Sequence, residues 1–283
     1  MRRTLATIVA LVVAAALAVP AQAAPRYTGL GDSFAAGPLI PVQLRPFGCL
    51  KSSNNYAHIV QRRKGFAEFR DASCSGARTD HMTQPQNVSP GPNPPQFASL
   101  SADTVAVTLT IGGNDIGFSG IAETCFSPTP RPDSPCKDHY TAGGQDEISR
   151  RIAEAGPKVD AVLDGIAARS PQATVFVVNY SALFPHEGPG CYPQMPVADG
   201  DVPYLRAKQE ELNAMLADQA GANGARLVDV YAASAGHDAC APPLVRWVEP
   251  YAPANAAAPL HPNLIGMDAM ARLVLSEMAA AGL

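Results

Sequence analysis

The sequence predicts an α/β fold: a three-layer α/β/α sandwich on a central parallel sheet of about five strands in flavodoxin-like order. Two observations carry this. Short β-branched runs alternate along the chain with longer segments of helical periodicity. Two of those runs, residues 105–111 and 173–179, are almost continuously apolar, as strands buried on both faces of a parallel sheet are.

Residues 1–23 read as a secretory signal. Arg2 and Arg3 open it, an apolar run follows from Leu5 to Val19, Pro20 breaks the run, and Ala21-Gln22-Ala23 is a small-x-small cleavage site. The cut is placed after Ala23, with Ala24 the next choice. The run is short for a spanning helix, and no later stretch is apolar enough to cross a membrane. The expected mature chain, residues 24–283, is long enough to bury its own core. With neither a repeat nor a linker, it reads as one domain.

The elements follow in order. Residues 26–30 form strand 1. Residues 54–64 form a helix capped by Asn54 or Asn55. Residues 66–72 form strand 2, with apolar and polar side chains roughly alternating, and 105–111 form strand 3. The clearest helix is 145–169, where Ile148, Ile152, Ala155, Val159, Val162, Leu163 and Ile166 share one face. Pro157 is expected to kink it. Residues 173–179 form strand 4. Asp201 is expected to cap a helix running to Gln219, with Pro203 in its first turn. Residues 226–230 form strand 5, and 263–280 the last helix. These apolar stripes read as core packing. The longest connections, 89–96, 126–135, 184–196 and 242–259, are proline-rich, and loops of that length are functional or stapled.

Cysteines supply the staples. All six, Cys49, Cys74, Cys125, Cys136, Cys191 and Cys240, lie in the mature part, and an even count in an exported chain predicts three disulfides. Sequence alone allows fifteen pairings. The sequential one is favoured, because each bridge then staples a loop region. Metal binding is a poor reading, with no close Cys-x-x-Cys pair and no His pair at i, i+4. Losing Arg2 and Arg3 takes the formal charge from −4 to −6, which argues against a nucleic-acid partner. A monomer is the default for a disulfide-stapled domain.

Four short motifs stand at predicted strand ends or before the last helix: Gly31-Asp32-Ser33, Gly76 within Ser75-Gly76-Ala77-Arg78, Gly112-Gly113-Asn114-Asp115, and His261-Pro262-Asn263. Each alone is a common turn or cap. In flavodoxin-like order strand 1 lies between strands 2 and 3, and ligands bind beyond their carboxyl ends. That places Ser33, Gly76 and Asn114 side by side, with His261 in reach. A serine hydroxyl needs a base within hydrogen-bond distance, and histidine fits near neutral pH. The expected roles are Ser33 as nucleophile and His261 as base. The Ser33 N–H, the Gly76 N–H and the Asn114 amide are the expected oxyanion donors. Asp32 and Asp115 read as acceptors that hold these loops. His58, His81, His139, His186 and His237 read as surface or loop residues. Trp247 and Tyr251 either wall the pocket or pack beneath a loop.

On these residues the chain resembles the SGNH hydrolase superfamily, the GDSL esterases and lipases, over essentially the whole mature chain. With its cysteines it is similar to the secreted actinobacterial three-disulfide branch. The resemblance implies an SGNH hydrolase fold, ester hydrolysis through an acyl-enzyme, and no cofactor. It supports the sequential disulfide pairing. The Gly-x-Ser-x-Gly elbow of the other common serine esterases is absent, since Ala35 holds the place of its second glycine. One departure stands out. Many members of the superfamily carry an aspartate three residues before the histidine, and here that position is Ala258. A backbone carbonyl from the Ala258–Pro259 region is expected to orient the imidazole, with Asp238 or Glu249 as the alternative.

The expected activity is that of a secreted serine carboxylesterase or lipase on small-molecule or lipid esters. A polysaccharide deacetylase or an acyltransferase would use the same residues. A catalytically silent envelope-binding protein is the alternative of a different class. The loops hold few large apolar residues and no amphipathic lid, which leans towards an esterase without interfacial activation.

Overall fold

The computed structural model describes residues 25–283; the expected signal segment lies outside them. Five parallel strands form the central sheet: β1 (Arg26–Gly31), β2 (Glu68–Asp71), β3 (Thr104–Thr110), β4 (Thr174–Val178) and β5 (Arg226–Val228). Their spatial order is β2-β1-β3-β4-β5, so β1 lies between β2 and β3. β1 is buried along its whole length, Arg26 included, and so is β3 but for one residue, because both lie inside the sheet between two helical layers.

Among the described residues eight α-helices flank or cap this sheet: α1 (Ser33–Ala36), α2 (Tyr56–Lys64), α3 (Phe118–Thr124), α4 (Pro135–Thr141), α5 (Glu147–Arg169), α6 (Val202–Ala222), α7 (Val230–Ala233) and α8 (Leu264–Ala280). Ile152, Val159 and Ile166 of α5 pack with Leu216 of α6 against Val107, Leu109 and Val177 on one face of the sheet. Met267, Met270 and Val274 of α8 pack with Ile59 and Val60 of α2 against Tyr27 and Phe176 on the other. Each such buried side chain contributes roughly 1.5–3 kcal/mol, so the two cores make the sheet a rigid base for its loops.

Local chemistry sets the helix ends. Asn55 caps α2 by accepting from His58 N–H at 2.9 Å, and Asn263 caps α8 by accepting from Gly266 N–H at 3.0 Å. α5 runs unbroken through Pro157. Asp201 corrects one expectation. It stands at the start of α6, but its carboxylate accepts from Cys136 N–H (3.0 Å) and Lys137 N–H (2.9 Å) and so caps α4. The Asp201 backbone is helical (φ −85°, ψ −18°) rather than extended as in a capping residue, and Pro203 at the second position of α6 has no N–H to offer a cap.

Disulfides join Cys49 to Cys74, Cys125 to Cys136, and Cys191 to Cys240. All three tie together segments that emerge at the carboxyl edge of the sheet. Among the described residues no helix is long and apolar enough to cross a membrane.

Candidate active site

Gly31 ends β1 with φ +144°, a conformation that L side chains avoid, and a Cβ there would lie 2.4 Å from the Thr110 carbonyl oxygen. The chain then turns sharply and places Ser33 as the first residue of α1. Asp32 caps that single turn by accepting from Phe34 N–H at 2.9 Å. The buried Gln96 side chain locks the Gly31 peptide, accepting from its N–H (2.7 Å) and donating to its carbonyl (2.8 Å).

His261 sits just before α8. Its Nε2 is 2.8 Å from Ser33 Oγ, and its Nδ1 is 2.7 Å from the Pro259 carbonyl oxygen. A carbonyl can only accept, so Nδ1 carries the proton and Nε2 is left to accept from the serine hydroxyl. Burial pulls the imidazole pKa below its usual value against the opposing pull of that carbonyl, so the ring is neutral at pH 7 and free to act as a base. Neither acid held as an alternative contacts the ring. Asp238 accepts from Cys240 N–H at 2.9 Å. Glu249 is fully buried and accepts from Ala254 N–H, Asn255 N–H and the amides of Asn255 and Asn263. Burial pushes its carboxyl up, and those donors outweigh the push and hold it below its ordinary range.

Glu249 thereby clamps the histidine loop. Leu260 adopts φ +61°, costly for a side chain with a Cβ, and the backbone bonds from Leu260 N–H to Glu249 O and from Glu249 N–H to His261 O enforce it.

Gly76 follows β2 with φ +78° and stands exposed. The Cys49–Cys74 bridge and a 2.9 Å bond from Ser75 N–H to the Cys49 carbonyl fix its loop to the segment after Ser33. Asn114 follows β3, and its Nδ2 donates one hydrogen to the Ala77 carbonyl at 2.9 Å, leaving the other free. Among the described residues the N–H groups of Ser33 and Gly76 have no acceptor. Three donors are thus available to a developing oxyanion.

Both flanking aspartates are tied into this scaffold. Asp115 accepts from Thr79 Oγ1 at 2.5 Å and from its N–H. Asp32 accepts from the Tyr180 hydroxyl at 2.5 Å, and that hydroxyl accepts from Gly113 N–H at 2.8 Å. Burial pushes the Asp32 carboxyl up to about 7, against the bonds from Tyr180 and Phe34. Tyr180 therefore joins the ends of β1, β3 and β4. Sequence inspection passed over Tyr180, Gln96 and the clamp at Glu249. Their only signal was position, and for Tyr180 that was its place just beyond strand 4.

A pocket opens beside Ser33 and Asn114. Its wall is largely apolar and includes Phe34, Ile116, Phe184, Val197, Leu212 and Leu260. Its two charged lining residues are engaged elsewhere: Asp32 as above, and Lys208 with Glu211 (2.6 Å) and Asp146 (3.1 Å). Tyr251 lines the pocket and donates to the Ala122 carbonyl at 2.8 Å. Trp247 packs away from it, stacked on His237 at 4.7 Å. His58, His139 and His186 likewise pack on aromatic rings. His81 accepts from Arg78 N–H at 3.0 Å, so none of these histidines meets Ser33.

Comparison with known proteins follows the same lines. Residues 30–269 match the model of the GDSL-like lipase/acylhydrolase family. The chain is 40% identical to Lipase 2 of Streptomyces coelicolor over 266 residues, covering 91% of this chain and 88% of that protein. Its fold is similar to that of phospholipase A1 from Streptomyces albidoflavus, with TM-score 0.71 at 23% identity over 90% of this chain and 99% of that one. The extracellular lipase of Streptomyces rimosus gives TM-score 0.70 at 24% identity, over 89% and 99%.

Proposed function

This chain belongs to the GDSL-like lipase/acylhydrolase family, and from that premise we propose that it is a secreted serine hydrolase that cleaves long-chain acyl esters through an acyl-enzyme on Ser33. That it is a carboxylic ester hydrolase follows from the family and its relatives. The observation that carries the finer reading is the 2.8 Å contact of Ser33 Oγ with His261 Nε2 at the mouth of an apolar pocket. Secretion is supported by three disulfides, which persist in oxidising compartments.

In this mechanism Ser33 Oγ attacks the ester carbonyl carbon while His261 Nε2 takes the hydroxyl proton. The oxyanion is held by Ser33 N–H, Gly76 N–H and the free hydrogen of Asn114 Nδ2. His261 returns its proton to the departing alkoxide, and the alcohol leaves. Water then attacks the acyl-serine with His261 again as base, and His261 returns that proton to Ser33 Oγ as the carboxylic acid departs. The Pro259 carbonyl fixes the tautomer, as a carboxylate would, and partly stabilises the imidazolium.

The pocket supports the long acyl chain, since each methylene moved from water contributes about 0.8 kcal/mol, whereas an acetyl group would leave the pocket empty. Hydrolysis of p-nitrophenyl esters from acetate to palmitate tests this. We expect kcat/KM to climb with chain length, by up to about fourfold per methylene, until the pocket is filled. A maximum at acetate would instead mark a deacetylase.

The acid limb of the pH profile is a second check. Because burial lowers the His261 pKa, the neutral base persists as pH falls towards about 6.5, the ordinary histidine value. The kcat/KM of a short soluble ester should hold through that value and fall below it. A midpoint above about 6.5 would mean that a carboxylate stabilises the imidazolium.

A further inference from the structure

The loops contain few large apolar residues, yet the fold exposes those few together. Among the described residues, every large hydrophobic side chain that is exposed lies on the carboxyl edge of the sheet. Leu39, Val42, Phe47 and Leu50 belong to the segment between α1 and α2, just after Ser33. Leu244 and Val245 belong to the segment that carries His261; Leu244 is 85% exposed and Val42 64%. The remaining two follow α3 and open α8.

These segments meet around the pocket mouth. Ala258 N–H donates to the Pro38 carbonyl at 3.0 Å, the Asn255 amide donates to the Pro243 carbonyl at 2.9 Å, and Ser75 N–H donates to the Cys49 carbonyl at 2.9 Å. They form one rim around Ser33.

Charge on this rim departs from that of the chain. The protein is net acidic, at −4, yet residues 33–67 contain no Asp or Glu and carry Arg45, Lys51, Arg62, Arg63 and Lys64; Arg63 is paired with Asp268 of α8 and Lys64 ends α2 towards the amino edge of the sheet, which leaves Arg45 and Arg62 to the rim. All but Lys51 are exposed. Arg45 lies over the exposed Phe47 ring at 4.9 Å, and Arg62 reaches back to the Ser53 carbonyl at 2.7 Å. Residues 239–262 carry just Arg246 and Glu249 besides His261, and both are buried. These two segments are therefore apolar and weakly cationic, with no exposed acid of their own, while the neighbouring Gly76 loop carries the exposed Asp80 neutralised by Arg78 at 3.0 Å.

We propose that this rim seats on the surface of an anionic phospholipid assembly. The apolar side chains enter the headgroup region, the arginines meet lipid phosphates, and acyl chains pass directly into the pocket. The proposal rests on the long-chain ester reading above. Charge complementarity selects the occupant: a second copy of the chain would set these cations against themselves, whereas a phosphate-rich surface neutralises them.

Ser33→Ala protein, which leaves the lipid intact, would be co-sedimented with vesicles of phosphatidylcholine and of an equimolar mixture of phosphatidylcholine and phosphatidylglycerol. We expect at least tenfold stronger partition onto the mixture, weakened by added salt. Each arginine beside an anionic surface is worth about fivefold, so adding Arg45→Glu with Arg62→Glu should cut partition by more than tenfold. Adding Val42→Asp with Leu244→Asp should do the same. The same pairs placed in active protein should keep wild-type hydrolysis of p-nitrophenyl butyrate, which reports folding and catalysis separately. Equal partition onto both vesicles, no partition onto either, variants that partition like the parent, or self-association lost in the variants would each overturn the proposal. Loss of butyrate hydrolysis by wild type would instead overturn the catalytic reading, and the vesicle assay would stand apart from it.

Discussion

Ser33→Ala is expected to lower kcat by about six orders of magnitude, with His261→Ala close behind and the double variant no worse than either. In the proposed mechanism the two side chains act as one unit. The hydroxyl is a poor nucleophile without a base to take its proton, and the imidazole has nothing to activate without the hydroxyl. Their 2.8 Å contact is already in place in the free protein, so the two groups need no movement to meet. The sharper question is whether a third side chain belongs to this unit. His261 Nδ1 meets a backbone carbonyl, while the buried Glu249 spends its acceptors on Asn255, Asn263 and two backbone N–H groups. Glu249→Gln should therefore leave kcat within about tenfold of wild type. Its cost should fall on stability, because charge-assisted bonds of about 1.5–3 kcal/mol each are weakened. In a chain of this size each kcal/mol lowers Tm by about 2–4 °C. Steady-state kinetics beside a thermal melt separate the two outcomes. If Glu249→Gln fell to the level of His261→Ala, the catalytic unit would be a triad that closes on substrate binding.

Why the sheet could be read from sequence while the site's supports could not is a matter of contact range. A strand announces itself through neighbours in the chain, and the runs at 105–111 and 173–179 lie within a residue of β3 and β4. The edge strand shows the limit. Residues 66–72 alternate as a strand should, yet β2 spans Glu68–Asp71, because it has β1 alone to pair with. At the other edge, Val230 continues the apolar run but starts α7, since Asp229 accepts from Ala232 N–H at 3.1 Å and turns the chain. The four motifs were legible because strand order alone carries them to one edge. Tyr180 was not. Its partner Asp32 lies 148 residues away, and no local pattern marks a tyrosine that will join three strand ends. Gln96 locks Gly31 across 65 residues in the same way. Long-range polar contacts of this kind fix the positions of the candidate catalytic atoms while leaving no periodicity behind.

Asn114→Ala is expected to lower kcat by about two to three orders of magnitude while changing KM little, because the lost hydrogen bond goes to an oxygen that carries charge only in the transition state. The amide is held in place for the role proposed. One Nδ2 hydrogen is fixed on the Ala77 carbonyl at 2.9 Å, which sets the direction of the other. Ala77 directly follows Gly76, so that bond also joins the side-chain donor to the loop of a backbone donor. Asn114→Asp should be at least as damaging, since a carboxylate offers no hydrogen and adds negative charge where more is forming. Tyr180→Phe tests the layer behind. It removes the hydroxyl that bridges Asp32 and Gly113, leaving the Asp32 carboxyl with one fewer donor and Gly113 N–H without its acceptor. Asn114 itself keeps its contact with Ala77, so Tyr180→Phe should reduce kcat by much less than Asn114→Ala and should not add fully to it, since both act on one donor set. A loss on Asn114→Ala confined to KM would show that the amide binds the ground-state ester, and the oxyanion would then rest on the two backbone N–H groups of Ser33 and Gly76 alone.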